Sequence, residues 1–224
     1  MPFEMESALL SLEEQYPPPE RLRGLGERSA RRGREAFVRL WLTKGIPFAF
    51  QDCPGVYEEI RGWLAAGLAV HAKDVTLVGS ARLGYSLAGP AKLGQPFGPT
   101  SDLDFCIVSR DLFQRVRDLF EVWAEDYRKG TVKPRHEHER LLWDENLAFG
   151  SRNIPKGFID ANKIPTFDRY PLSQHVEQAM WILIGRMKVT ARAPAARRAS
   201  IRVYGAWPSL VDRVSFNLYS ALAR

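Results

Sequence analysis

The sequence predicts an α+β fold: a small mixed sheet flanked by helices, with a mainly helical N-terminal segment and C-terminal lobe. Three observations predict it. Asp74-Val75-Thr76-Leu77-Val78 reads as a short buried strand that opens into a turn at Gly79-Ser80. Ser101 to Val108 (SDLDFCIV) alternates as a second strand. Apolar residues elsewhere recur at helical spacing, as in Val56, Ile60, Trp63, Leu64 and Leu68. At 224 residues, with 45% hydrophobic content and six tryptophans, the chain can build a sizeable core.

Taken in order, the first twenty residues carry Glu4, Glu6, Glu13, Glu14 and Glu20 and neither Lys nor Arg. Pro17-Pro18-Pro19 ends any helix begun at Glu6-Ser7-Ala8-Leu9-Leu10, because proline lacks the amide and clashes with the preceding turn. The charge then reverses through Arg21, Arg23, Arg28, Arg31, Arg32 and Arg34. A helix from about Glu27 to Lys44 is expected to bury Phe37, Leu40 and Trp41 while its arginines face solvent. A second helix spans about 56–70. Residues 88–100, broken by Gly89, Gly94 and Gly98, read as a loop. Ser109 is placed to cap a helix from about Asp111 to Lys129, with Leu112, Phe113, Val116, Leu119, Phe120 and Trp123 on its apolar side. Lys156 to Asn162 is a candidate third strand, 173–188 a buried helix, Ala199 to Tyr204 a strand and 209–223 a closing helix. We group these as an N-terminal helical segment (1–54), a core (55–165) and a mainly helical C-terminal region (166–224).

Composition narrows the partners. The formal charge of +6 favours an anionic partner, nucleic acid or nucleotide ahead of membrane. Cys53 and Cys106 form neither a disulfide framework nor a zinc-ligand pattern and suit a reducing compartment. No apolar run approaches the roughly 20 residues that span a bilayer, and Met1-Pro2-Phe3-Glu4 does not open a secretory signal. A soluble, cytoplasmic protein without a membrane partner is expected.

The chemistry concentrates in two places. On a strand, residues two apart share a face, so Asp102 and Asp104 lie together, opposite Leu103, Phe105 and Ile107. Two adjacent carboxylates repel, and a cation relieves the repulsion. Mg²⁺ (or Mn²⁺) suits them, being a hard ion that takes carboxylate oxygens together with substrate phosphates. Gly79 allows close approach of backbone to a phosphate, while the Ser80 hydroxyl and the amides after it can donate to phosphate oxygens.

Strand, Gly-Ser, Gly/Pro-rich connection and then Ser-Asp-x-Asp heading an apolar strand form a specific combination. The stretch DVTLVGSARLGYSLAGPAKLGQPFGPTSDLDFCIV resembles the core of the polymerase-beta-like nucleotidyltransferase superfamily, and in particular bacterial stand-alone domains with a Gly-Ser-x-x-x-Gly-Tyr-Ser signature. The match covers about residues 74–110, with weaker similarity at GFIDANKIP (157–165) and RVYGAW (202–207). The resemblance implies a nucleotidyltransferase sheet and transfer of a nucleoside monophosphate from a nucleoside triphosphate such as ATP to an acceptor hydroxyl, with pyrophosphate leaving. It implies Gly79 and Ser80 as the phosphate-contacting turn and Asp102 and Asp104 as metal ligands. It also implies a third carboxylate from a later strand. Asp160 is the candidate, as a metal ligand and as the catalytic carboxylate that helps activate the acceptor hydroxyl. The related segment, however, reads Gly-Phe-Ile-Arg-Pro-Asp, which aligns Asn162 with the acid and Asp160 with the arginine. The carboxylate has therefore either moved or been lost.

Arg82, Tyr85, Ser86 and Lys92, in or just after the turn, are further substrate-binding candidates. Arg82 and Lys92 are the ones suited to triphosphate charge. His136-Glu137-His138-Glu139 reads better as a solvated linker or helix start than as a metal site. The arginine group at 21–34, and Arg186, Lys188, Arg192, Arg197, Arg198 and Arg202, offer a phosphate-tracking surface with Tyr204 and Trp207 beside it for base stacking. Their alternative is a basic face with inward-packed aromatics. The expected function is metal-dependent nucleotidyl transfer, to an RNA end, a nucleotide or a protein hydroxyl. Bacterial (antiviral) defence or toxin systems are the setting the resemblance implies. The alternative is a nucleotide- or RNA-binding module that has lost catalysis.

Overall fold

A computed structural model describes residues 9, 12, 14–89 and 91–222. The helix expected at Glu6 to Leu10 falls almost wholly outside them. In chain order the main elements are α1 (Arg31–Phe37), α2 (Pro54–Leu68), β1 (Val75–Val78), α3 (Ser80–Leu83), β2 (Asp102–Val108), α4 (Arg110–Arg128), α5 (Glu137–Asn153), β3 (Phe158–Asp160), α6 (Pro171–Val189), β4 (Arg198–Tyr204) and α7 (Trp207–Leu222). The fold is mixed α+β with one four-stranded mixed sheet, in the order β1-β2-β4-β3. β1 and β2 are antiparallel, β2 and β4 parallel, β3 and β4 antiparallel. Among the described residues no helix is long and apolar enough to cross a membrane.

Local chemistry sets the boundaries. Pro54 starts α2, where its missing amide is harmless, and Ala69 ends it in a left-handed conformation at φ 56°. The Ser109 hydroxyl caps α4 by accepting from the Leu112 amide at 3.2 Å. Residues 136–139 are a helix start: His136 caps α5 by accepting from the Glu139 amide. The Gly/Pro-rich connection is partly ordered, for Ser86 and Gln95, and Gly84 and Phe97, pair through backbone hydrogen bonds.

Register gives the sheet two unlike faces. On the rear, Val75, Leu77, Leu103, Phe105, Ile107, Ile159, Ile201 and Val203 pack in one buried cluster with α2, α4 and α6. On the front, Cys106, Val108, Phe158 and Tyr204 pack under the N-terminal segment and α7, while the opposite end of that face is polar. β4 arises from the region expected to be mainly helical, yet it lies between β2 and β3. Residues 198–204 thus complete the sheet.

The N-terminal segment departs from the expected single amphipathic helix. A 3-10 turn (Arg28–Ala30), α1 and a π-helical turn (Val38–Leu42) follow one another. Each change of winding rotates the apolar face, since a π turn takes more residues than an α turn. Phe37, Val38 and Leu42 are buried, Leu40 is 49% exposed, and Trp41 is half-buried. Arg34 also departs, its guanidinium buried against the Leu25 and Glu27 carbonyls and over the Tyr219 ring.

Candidate active site

A cleft of about 640 Å³ opens on the front face where β1 ends and β2 and β4 begin. Gly79, Ser80, Ser86, Lys92, Asp102, Asp104, Asp160 and Asn162 all line it, with Arg197, Ser200 and Arg202 from β4 and the residue before it. Gly79 is held at φ 70°, ψ −150°, a region essentially reserved for glycine. A Cβ there would lie 3.3 Å from Oδ2 of Asp104. The turn therefore passes directly beside the carboxylate pair, which explains why a strand must be followed by glycine at this point.

Strand pairing fixes the side chains around the acids. Asp102 is opposite Arg198, and Asp104 is opposite Ser200 and Val78. The two acids differ sharply in company. Arg197 grips Asp102 through both oxygens, Nε to Oδ1 at 3.0 Å and Nη2 to Oδ2 at 3.1 Å, and Arg198 Nε adds a bond to Oδ2 at 2.9 Å. Partial burial raises the Asp102 pKa, but the bonds and charges of the two arginines outweigh it and leave it below the ordinary value. Asp104 receives only the Ser200 hydroxyl, at 2.9 Å, among the described residues. Its carboxylate faces the open cleft, yet the surrounding walls still remove enough water to disfavour charge. That desolvation raises its pKa above the ordinary value, and the Asp102 charge adds to the effect.

Asp160 lies two strands from Asp104, opposite Arg202 on β4. Arg202 forks onto both its oxygens, with the Nη2 bond at 2.9 Å. This pair is largely enclosed. Burial alone would lower the Arg202 pKa, but the bond and charge of Asp160 override it and raise it. Among the described residues no three His, Cys, Asp or Glu side chains converge as a metal-holding group. Asp102 and Asp104 remain a two-carboxylate donor set, which suits Mg²⁺ when phosphate oxygens and water complete its shell.

Two expected substrate contacts are corrected. Arg82 is 1% exposed, and its guanidinium is committed to the carbonyls of Trp41, at 2.6 Å, Lys44 and Ile46. It points into the protein and fastens the turn after Gly79 to the N-terminal segment. Tyr85 is buried too, donating to the Pro17 carbonyl at 2.6 Å. Ser86 and Lys92 stay at the cleft wall. The basic residues near the C-terminus also divide. Arg186 lies over the Trp63 ring, Arg192 binds the Asp52 carbonyl, and Tyr204 is buried beside Phe158. Tyr204 is thus closed to base stacking, whereas Trp207 is 40% exposed. Arg197, Arg198 and Arg202 are not a general basic surface but pair with Asp102 and Asp160. The spacing of Arg198, Ser200 and Arg202 marks one face of a strand and does not name its partner.

No protein-family model, curated protein or solved structure matches this chain.

Proposed function

We propose that this protein is a metal-dependent nucleotidyltransferase that moves a nucleoside monophosphate from a nucleoside triphosphate to an acceptor hydroxyl. The carrying observation is the juxtaposition of a strand-terminal glycine turn with two carboxylates on the head of the adjacent strand, Oδ2 of Asp104 lying 3.3 Å from the position a Gly79 Cβ would take. A resident divalent ion would neutralise phosphoryl charge and polarise the attacking oxygen. Asp102 and Asp104 would hold it, both acids lying on one face of the strand. Gly79 and Ser80 place backbone and hydroxyl against the phosphates, and Lys92 supplies a cation at the wall.

One observation favours a second reading. Asp160 is bound by Arg202, so the third acid that transfer usually employs is occupied. In that reading the same cleft captures a metal-bound nucleotide or RNA end without turning it over. A label-transfer assay separates the two. α-labelled ATP and the other triphosphates are incubated with Mg²⁺ or Mn²⁺ and total RNA or lysate, with Asp102→Asn/Asp104→Asn as control. We expect label transfer in the native protein and a loss of at least about a hundredfold in the variant, the scale of losing charge stabilisation at a transition state. Metal-dependent nucleotide binding without transfer selects the second reading, and neither binding nor transfer rejects both.

A further inference from the structure

Resting on the metal–nucleotide reading of this cleft, but not on transfer itself, we infer that Arg197 and Arg198 form a latch that holds Asp102 in the metal-free protein and is handed to the triphosphate when the metal site fills. Three N–H donors from the two guanidiniums cover both oxygens of Asp102. Oδ2 accepts two of these bonds and Oδ1 one, so three of the roughly four lone-pair directions of the carboxylate are taken. The two guanidinium charges beside it also oppose the approach of a divalent cation. Asp102 coordinates fully only as the arginines draw back.

The latch is built to open. The side chains of Arg197 and Arg198 are 60% and 69% exposed, so little packing holds their heads in place. Water around the arginine heads screens these pairs, and although the fork of Arg197 makes them stronger than a single exposed contact, the heads can swing out into solvent. Their backbone, by contrast, is fixed. The Arg197 amide donates to the Ser101 carbonyl at 2.9 Å, and Arg198 is paired in register with Asp102. The released guanidiniums therefore stay tethered at the cleft mouth. Arg202 shows the other design: it is enclosed, forked onto Asp160 and stacked over the Phe158 ring, and so remains in place.

Charge balance gives the handover its direction. Two carboxylates, Asp102 and Asp104, and two guanidiniums sum to zero. One divalent ion turns the mouth to +2, a surplus that a triphosphate neutralises. Arginine's planar fork matches phosphate oxygens as well as it matches a carboxylate. Metal and nucleotide thus assist each other, and by linkage the assistance is reciprocal.

The test measures binding in the full-length protein and does not use activity. Mn²⁺ binding is followed by electron paramagnetic resonance, and binding of a fluorescent non-hydrolysable ATP analogue is followed in EDTA and in Mg²⁺. The proteins are wild type, Arg197→Ala/Arg198→Ala and Arg197→Lys/Arg198→Lys, each checked for folding by circular dichroism. We expect the alanine variant to bind Mn²⁺ alone at least roughly threefold more tightly, because the competing pairs are gone. Its analogue affinity should match wild type in EDTA and fall roughly tenfold in Mg²⁺, the scale of a charge-assisted hydrogen bond. The lysine variant keeps the charge without the fork and should fall between. Equal weakening in EDTA and in Mg²⁺ would mean a fixed basic wall and overturns the latch. A Mn²⁺ affinity unchanged in the alanine variant, where the wild type binds metal and analogue, also overturns it and leaves the nucleotide reading intact. Absence of metal and analogue binding in every protein removes the reading and the latch together.

Discussion

Leu103 sits between Asp102 and Asp104 in sequence and on the opposite side of the sheet from both. Rear and front faces thus share one backbone and answer to different physics. The rear face is closed by apolar side chains from α2, α4 and α6, where stability follows area removed from water. At the cleft end the front face is closed by charge, and its three acids are treated in three ways. Asp160 is locked by an enclosed arginine, Asp102 is shielded by two exposed ones, and Asp104 has a single hydroxyl. Regular pairing fixes where each acid stands, and its neighbours fix what that position costs.

The comparison can be strained from both sides. Leu103→Ala should have the largest effect on stability, a loss of about 2–5 kcal/mol in denaturant titration, because a fully buried leucine is replaced by a cavity. A loss below that range would mean that the rear core collapses around the gap. Arg202→Met comes next: it strands the Asp160 carboxylate and should cost about 2–3 kcal/mol, somewhat under the range for a wholly buried pair. Adding Asp160→Asn should recover part of that loss, since the unpaired charge is the main penalty. A double variant no more stable than the single would assign Arg202 to packing instead.

The smallest effect carries the opposite sign. The folded-state pKa of Asp104 is raised, so the unfolded chain gives up this proton more readily than the folded one. Without metal, stability should therefore decline as pH rises from the ordinary aspartate range through the raised folded value, and stay at the lower level above it. Asp104→Asn should remove this component, raise the thermal midpoint slightly at neutral pH and abolish any shift of the midpoint by Mn²⁺. Asp102 works in reverse: its lowered pKa contributes stability above the ordinary aspartate range, lost as pH falls through the folded value. A midpoint in Asp104→Asn below that of the native protein would show that the Ser200 contact outweighs the charge penalty.

Much of the sheet could be read from the sequence because the signals are local. Val75 to Val78 ends in a glycine whose conformation other residues resist, and SDLDFCIV alternates plainly. The helices at 54–68, 110–128, 171–189 and 207–222 announce themselves by spacing. α5 was legible only at its His136 start, for Trp143, Asn146, Gly150 and Asn153 are its buried residues and form no strong apolar stripe. The place of β4 was hidden, since a parallel partner 96 residues away leaves no mark on either segment. A separation of 95 residues likewise concealed the grip of Arg197 on Asp102. Arg82 misled for a related reason: a charged residue in a phosphate turn suggests solvent, and nothing nearby signals that its acceptors lie 36 to 41 residues upstream.

That arginine has a practical consequence. Because its head group needs three carbonyl acceptors from the stretch around Lys44, the turn beside the paired acids is anchored by a part of the chain that contributes no reactive group. Cutting the protein back to its strands and their nearest helices would leave a desolvated cation without acceptors directly under the Gly79-Ser80 turn. What looks like a dispensable leader is a foundation, and a minimal domain trimmed to the recognisable signature would lose the very geometry it was meant to isolate.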